Sequence, residues 1–173
     1  MNPGTSASID HVMKDITPHI TALKGYTVQK RVAAAAALGK SGNPSAVPAL
    51  IQSLSDPHGN VRSESAQALG RLGEGDAIPA LISALNDPEP VVRTAVIAAM
   101  GRIQDRRAAG ALISCLKDTD DRVRIGAAEV LGKLGDSRAI KPLEALEQDP
   151  FSDVREAAEM AVSRIQKKTN SAR

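Results

Sequence analysis

Residues 60–90 read NVRSESAQALGRLGEGDAIPALISALNDPEP, and residues 91–121 read VVRTAVIAAMGRIQDRRAAGALISCLKDTDD. Residues 122–152 continue with RVRIGAAEVLGKLGDSRAIKPLEALEQDPFS. The three segments have the same length and place the same residue types at the same positions. A fixed period of about 31 residues indicates a repeat protein, in which each unit buries its faces against its neighbours.

The period extends beyond the quoted residues in both directions. The repeated columns include Arg31, Arg62, Arg93, Arg124 and Arg155; Gly39, Gly70, Gly101 and Gly132; Leu50, Leu81, Leu112 and Leu143; and Asp56, Asp87, Asp118 and Asp149. The period predicts five units, at approximately 8–42, 43–73, 74–104, 105–135 and 136–167. We expect one domain over 8–167, a flexible N-terminus over 1–7 and a flexible tail over 168–173.

Each unit contains two helical patterns. In the unit that begins at Glu74, apolar residues at spacings of three and four predict a first helix that Asp76 caps. Pro79 falls in its first turn, and the NDPEP segment ends it because residues before proline avoid the helical region. A second helix is predicted from Pro88 or Glu89 to Ile103.

Glycine follows the second helices and predicts how they end. Gly73 and Gly135 are expected to adopt the left-handed conformation of a helix C-terminus. Gln104 stands at the corresponding position of the third unit, in a loop that also carries Arg106 and Arg107. We interpret this loop as a tolerated variant, with a partner contact as the alternative.

The helix pairs resemble the HEAT repeat, and more closely its short bacterial and archaeal form, the phycobilisome-lyase (PBS lyase) HEAT-like repeat. The segments DPEPVVRTAVIAAMGRI (87–103) and GDSRAIKPLEALEQDPFSDVREAA (135–158) carry the resemblance. It covers nearly the whole chain and implies an all-α, right-handed superhelical solenoid of five helix pairs, about ten helices. It also implies a prokaryotic source.

The two ends of the stack depart from the repeat. Glu144 and Glu147 occupy columns that are apolar in the preceding units, and burial of two unpaired carboxylates would be costly. We therefore expect both side chains to face solvent at an uncovered end. At the other end, Pro18 is expected to divide the first helix, with Thr17 as the N-cap of its second part.

Composition excludes several classes of protein. Lys and Arg total 22 and Asp and Glu total 20, so a net charge of +2 does not require an anionic partner. Cys115 is the one cysteine of the chain, which precludes an internal disulfide and fits a reducing compartment. The N-terminal residues lack the pattern of a signal peptide. These observations predict a cytoplasmic protein.

The second helix of each pair lines the concave surface in the HEAT family, and the resemblance therefore identifies candidate binding residues. One column is basic throughout: Lys40, Arg71, Arg102, Lys133 and Arg164. It predicts either a positive ridge for an acidic partner or solvated cations near helix C-termini. The centre of the predicted surface is small and apolar, which marks either a binding site or burial between helices. The predicted partner-binding residues are Arg71, Val91, Thr94, Ala95, Ala98, Arg102, Ile125, Glu129 and Lys133.

The aspartate and arginine columns are interpreted as a structural ladder rather than a catalytic site. The aspartate would end one helix, and the arginine would tie it to the adjacent turn; this pairing is typical of HEAT repeats. The three histidines lack metal-ligand spacing, and no nucleophile or phosphate-loop motif is present. We expect no enzyme activity, no cofactor and no metal.

The sequence thus predicts a monomeric, non-catalytic scaffold or adaptor that binds another protein, one with an acidic and apolar segment, through its concave face. The main alternative is an accessory subunit or chaperone of a bilin lyase-type enzyme. A direct bilin pocket is disfavoured because aromatic residues are nearly absent. For the same reason a nucleic-acid partner or a glycosylase activity is the weakest of the three hypotheses.

Overall fold

A computed structural model describes residues 15–171, which form ten α-helices in five antiparallel pairs and contain no strand. The first helices of the pairs are short: α1 (Thr17–Ala22), α3 (Val47–Ser53), α5 (Ile78–Ala84), α7 (Ala109–Cys115) and α9 (Ile140–Glu144). The second helices are longer: α2 (Val28–Ser41), α4 (Gly59–Leu72), α6 (Pro90–Ile103), α8 (Asp121–Leu134) and α10 (Ser152–Ser171). The predicted all-α solenoid of helix pairs is confirmed.

A single 3₁₀ turn leads into each of α3, α5, α7 and α9, and it changes the position of the cap. The turns comprise Pro44–Ala46, Gly75–Ala77, Arg106–Ala108 and Ser137–Ala139. Asn43, Asp105 and Asp136 each accept a hydrogen bond from the backbone N–H two residues later. The prediction that Asp76 caps α5 was wrong, because Asp76 lies inside the turn and α5 begins only at Ile78.

The two ends of the described chain also differ from expectation. α1 begins at Thr17 itself, and Asp15 rather than Thr17 caps the backbone, since its Oδ1 accepts the Thr17 N–H at 2.9 Å. At the C-terminal end, α10 continues past the expected boundary at 167 to Ser171, and the Lys168 ammonium donates to the Lys133 carbonyl. Residues 1–14, including the predicted N-terminal segment 1–7, and residues 172–173 lie outside the described residues.

Three second helices end in left-handed glycines, as predicted for two of them. Gly73 and Gly135 have φ of 76° and 74°, and Gly42 ends α2 in the same way. Gln104 ends α6 with φ of 56° and is the one described residue other than glycine with a positive φ. Glycine adopts this conformation freely, whereas a side chain makes it unfavourable.

We therefore expect Gln104→Gly to stabilise the protein, by about 0.5–1 kcal/mol. Gly73→Gln, at the equivalent position of the preceding unit, should destabilise it by a similar amount. Urea unfolding followed by circular dichroism measures both changes. A loss of stability in Gln104→Gly would show that the Gln104 side chain makes a compensating contact.

The second helices lie on the inner side of the stack. Each second helix packs along the next, whereas successive first helices barely touch one another. Glycine and alanine allow this close approach: a Cβ at Gly39, Gly70 or Gly132 would lie 2.7–2.9 Å from the backbone Cα of an alanine on the next helix. The stack therefore curves with the second helices on the concave side, as the resemblance implied.

A ladder of ion pairs joins consecutive units. In each rung the arginine Nε and one terminal nitrogen donate to both oxygens of an aspartate in the next unit. The rungs pair Arg31 with Asp56, Arg62 with Asp87, Arg93 with Asp118 and Arg124 with Asp149. The other terminal nitrogen donates to a backbone carbonyl before the same helix, at Gly25, Asp56, Asp87 and Asp118. The predicted structural role is confirmed, and each arginine spans two units.

The ladder also makes stability depend on pH. Burial raises the pKa of Asp87, but hydrogen bonds from Arg62 and from the Glu89 N–H outweigh burial and hold that pKa below its usual value of 3.8. Burial also raises the pKa values of Asp56 and Asp118. The hydrogen bonds from Arg31 to Asp56 and from Arg93 to Asp118 outweigh it, so both pKa values are lowered. A lowered folded-state pKa gives stability that is present above the unfolded-state pKa and lost as pH falls through the folded-state pKa.

We expect the free energy of unfolding to be flat from pH 7 to about pH 5 and to decrease below about pH 4. Asp87→Asn removes one titrating carboxyl, so the variant should be less stable at neutral pH and should lose less stability on acidification. Urea titrations at several pH values test this. Equal losses in parent and variant would contradict the role of the Arg62–Asp87 rung.

The α9 end of the stack presents carboxylates. Glu144 and Glu147 are both exposed, as expected, and line an open cavity of about 580 Å³ together with Arg155. Arg155 is the fifth arginine of the column; it donates to the Asp149 carbonyl at 2.6 Å and has no carboxylate partner within residues 15–171. No part of the described chain covers this face.

Replacement of Glu144 and Glu147 with Ile and Leu should restore the apolar columns of the internal units. The new face has no partner within the described chain, and a head-to-tail contact that does not close leads to chain association. Analytical ultracentrifugation should show oligomers that the parent lacks. A monomeric and less stable double variant would instead assign the two glutamates a role in the fold.

Candidate functional site

Two adjoining grooves lie on the concave surface, in the middle of the stack. The first runs between α4 and α6 and has a volume of about 280 Å³; the second runs between α6 and α8 and has a volume of about 410 Å³. Both are lined by Thr94, Ala98, Arg102 and Arg122, so the grooves form one continuous surface. We call the second one the α6–α8 groove.

The α6–α8 groove arises from two bulky residues in columns of small ones. Val130 stands where the other units have Ala68, Ala99 and Ala161. A Cβ at Gly101 would meet the Val130 Cγ2 at 2.7 Å, whereas at Gly70 it would meet the next helix's backbone. Ile97, buried in the same interface, packs over Gly126. α6 and α8 accordingly contact each other less than the other second helices do.

The structure places eight of the nine predicted binding residues on this surface. Thr94, Ala98 and Arg102 line both grooves, and Val91 and Ala95 line the first. The α6–α8 groove adds Ile125, Glu129 and Lys133.

Exposure decides which of these side chains a partner can reach. Val91 is 52% exposed, and Ala98 is also exposed. Ala95 is only 7% exposed, because α6 turns it towards the neighbouring helix. For Ala95, burial between helices is therefore the correct alternative. The surface accessible to a partner runs from Val91 through Ala98 to Ile125.

Arg71 is the predicted residue that does not belong to this surface. Its guanidinium lies against α2 beside Gly39 and forms an ion pair with Glu64 on its own helix. It lines neither of the two central grooves. Of the two alternatives for the basic column, the continuous positive ridge therefore fails at Arg71, because a carboxylate of the same helix neutralises the cation.

Positive charge is instead concentrated around the α6–α8 groove. Arg102 and Lys133 are exposed and form no ion pair with any residue from 15 to 171. Arg122 is also exposed and shares its charge with Asp120 at 3.2 Å, and this contact lowers the pKa of the aspartate. Against these three cations the groove carries one carboxylate of its own, that of Glu129. An apolar floor thus has a net positive rim.

Sequence reasoning missed Arg122 and Val130. Val130 could have been noticed as the one larger residue in a column of alanines, but the period alone does not show that this column faces the neighbouring glycines. Arg122 belongs to a column of unlike residues, Asn60, Val91 and Asp153, and therefore carries no repeated signal. Its side chain reaches the groove from the first turn of α8.

Other chemically active groups give no site. Burial raises the pKa of the Cys115 thiol to about 11, helped by Asp118, so the thiol stays protonated and packs as a small apolar residue. In the part of the chain that the structure describes, no three His, Cys, Asp or Glu side chains come together as a metal site would require. None of the described helices combines the length and apolar character needed to cross a bilayer.

Three of the solved structures similar to this chain come from complexes with a protein or a peptide. In the complex of CpcE and CpcF of phycocyanin lyase from Nostoc sp. PCC7120, one chain is 30% identical with a TM-score of 0.76, over 86% of this chain and 64% of that chain. This chain thus spans just under two thirds of the length of that protein.

Two more distant structures show the fold alone. A chain of the S. pombe condensin Cnd3–Cnd2 subcomplex is 22% identical with a TM-score of 0.73, over 95% of this chain and 26% of that one. A designed armadillo repeat protein in complex with the peptide (KR)4 is 18% identical with a TM-score of 0.64, over 87% of this chain and 81% of that one.

Among curated protein sequences, none matches the chain significantly. The sequence model of HEAT repeats, however, matches residues 17–100 and, in an overlapping second segment, residues 78–163. The two matches span nearly all of the described residues and agree with the helix pairs, the inter-unit ladder and the concave second helices. The chain belongs to the HEAT-repeat family.

Proposed function

We propose that this chain is a non-catalytic scaffold or adaptor that binds a partner protein through its concave surface. The observation that carries the proposal is the exposed apolar and cationic surface around Ala98, at the centre of the inner helices. The solvated face of a helix without a partner usually carries mixed charged residues, whereas Val91, Ala98 and Ile125 are apolar.

The fold supports this function physically. Second helices held by the glycine–alanine contacts and the ladder present a preformed surface. Binding to such a surface loses little conformational entropy, so a modest contact area can give useful affinity. The similar solenoids in complexes with proteins or peptides support a protein as the partner.

Site-specific photocrosslinking tests the proposal in cells of the source organism. A photoreactive amino acid at Ala98 reports on the concave surface, and one at Ser83, exposed on α5, reports on the convex surface. We expect a discrete crosslinked partner from position 98 and none from position 83, with the adduct suppressed by excess unlabelled protein. The same partner at position 83 alone would contradict the proposal.

A second candidate function rests on the 30% identity to the phycocyanin lyase complex. In this reading the chain is an accessory subunit or chaperone of a lyase that acts on a phycobiliprotein. Within residues 15–171 the aromatic side chains are Tyr26 and Phe151, and neither lines the concave grooves. The chain would accordingly assist through protein contacts rather than hold a bilin itself.

One measurement separates the two candidates, and a second one tests both. Titration of the purified chain with phycocyanin should show saturable binding if it serves a lyase and none if it is a scaffold for another protein. Absorbance spectra of bilin should be unchanged by the chain in either case. A bilin spectrum that shifts on mixing would overturn both proposed functions, because it would show that this chain binds the chromophore itself.

A further inference from the structure

We infer that the α6–α8 groove binds an extended acidic segment of the partner that carries an aliphatic side chain between two carboxylates. This inference rests on the proposed function and specifies the chemistry of its partner. It is carried by the juxtaposition of an apolar floor, opened by Ile97 and Val130, with cations at both ends of the groove.

The apolar floor of the groove is the reason to expect an aliphatic side chain in the partner segment. Ile97, Gly126 and Val130 form the bottom of the groove, and Ala98 and Ile125 form its apolar walls. Its volume of about 410 Å³ is within the range of ligand sites, and no aromatic residue lines it. Burial of an aliphatic side chain here removes apolar surface of both partners from water.

The cations at the rim of the groove are the reason to expect two carboxylates in the partner segment. Arg122 lies in the first turn of α8 and Lys133 in its last turn. At a helical rise of about 1.5 Å per residue, the two positions are about 16 Å apart. Arg102, in the last turn of α6, lines the same groove as Lys133. Glu129 lies one turn before Lys133 and weakens the positive charge at that end, so each carboxylate is bound by a cation that is only partly neutralised.

The spacing of the cations favours an extended segment. In an extended chain, side chains i, i+2 and i+4 point to the same face, and i and i+4 are about 13 Å apart. A carboxylate, an aliphatic residue and a second carboxylate at these positions match the order Arg122, floor, Lys133. In a helix, i and i+4 are only about 6 Å apart, which is too short to reach both ends.

Fluorescence anisotropy with synthetic peptides tests the inference on the full chain. The probe is Gly-Ser-Glu-Ser-Leu-Ser-Glu-Ser-Gly with an N-terminal fluorophore. Replacement of its Leu with Ser should weaken binding roughly tenfold or more, from the loss of one buried aliphatic side chain. Replacement of both Glu with Lys should abolish binding. A helical peptide with the same Glu, Leu and Glu at i, i+2 and i+4 holds its carboxylates only about 6 Å apart and should bind more weakly than the extended probe.

Matched protein variants assign binding to the groove. Lys133→Ser and Arg164→Ser remove cations of the same column, but Arg164 lies outside the groove. We expect at least a several-fold loss of probe affinity in Lys133→Ser and no change in Arg164→Ser. Glu129→Gln should tighten binding, because it removes the one carboxylate of the rim.

The possible failures are distinguishable. No binding of the extended probe, or equal binding of its Leu and Ser forms, overturns the inference. Equal loss of affinity in Lys133→Ser and Arg164→Ser also overturns it, because it would mean diffuse charge attraction. Tighter binding of the helical peptide overturns it as well. In each case a crosslinked partner at Ala98 leaves the proposed function standing; absence of that adduct as well removes both.

Discussion

Replacement of Arg93 with alanine should destabilise the protein by about 3–5 kcal/mol, the cost of leaving a buried carboxylate without its partner. Arg93 donates to the two Asp118 oxygens at 2.8 and 2.7 Å and to the Asp87 carbonyl at 2.8 Å. The Arg93 and Asp118 side chains are only 11% and 13% exposed, so solvent screens the pair weakly. The variant therefore loses the rung between the third and fourth units.

The control for this prediction is an exposed ion pair of the same chemistry. Arg138 pairs with Asp136, but its side chain is 71% exposed, and Arg138→Ala should destabilise the protein far less than Arg93→Ala, because solvent screens the pair. Arg93→Lys should fall between the two, because lysine keeps the charge but cannot donate two parallel hydrogen bonds. Urea unfolding compares all three. A similar effect of Arg93→Ala and Arg138→Ala would show that the ladder contributes little stability.

Gly70→Ala is expected to destabilise the protein by about 2 kcal/mol or more, although alanine is the better helix former by about 1 kcal/mol. The new Cβ would lie 2.7 Å from the Ala99 Cα and 2.9 Å from its Cβ. Because a backbone atom cannot rotate away, α4 and α6 must move apart, and neighbouring contacts are strained.

Two other glycines provide controls for the effect of Gly70→Ala. At Gly101 the new Cβ would meet the Val130 Cγ2, a side-chain atom beside an open groove, so Gly101→Ala should cost much less than Gly70→Ala. At Gly110, exposed in the first turn of α7, nothing lies within 4 Å of the new Cβ. Gly110→Ala should therefore stabilise the protein by about 0.5 kcal/mol. Equal effects at Gly70 and Gly101 would contradict the different spacing of α4–α6 and α6–α8.

The sequence predicted the architecture because a solenoid repeats its local structure. Apolar spacing, prolines after the first helices and glycines after the second helices each report on residues close in the chain. The roles of Arg62 and Asp87 were also predictable as structural, since both columns persist through the units. The partner of each arginine was less evident, because a pairing between units depends on how consecutive units stack.

The candidate site was predicted only in part, for a related reason. The period identified the inner helices and hence Ala98, Arg102 and Ile125. It could not show that Glu64 neutralises Arg71, because that contact depends on side-chain rotamers. Nor could it show that Val130 opens a groove, because the effect depends on which residue of α6 faces it. Features that deviate from the repeat thus need the three-dimensional structure.

Binding of the crosslinked partner to three forms of the protein tests whether the concave surface is the binding site. Ala98→Arg places a long cation in the middle of the concave surface, and Ser83→Arg adds the same side chain on the convex surface. Since both positions are exposed, both variants should keep the circular dichroism spectrum and stability of the parent. Isothermal titration calorimetry should show partner affinity reduced by about 100-fold or more in Ala98→Arg, the loss of roughly 3 kcal/mol, and unchanged in Ser83→Arg. Equal affinity of the parent and a folded Ala98→Arg would show that the partner does not bind at the concave surface.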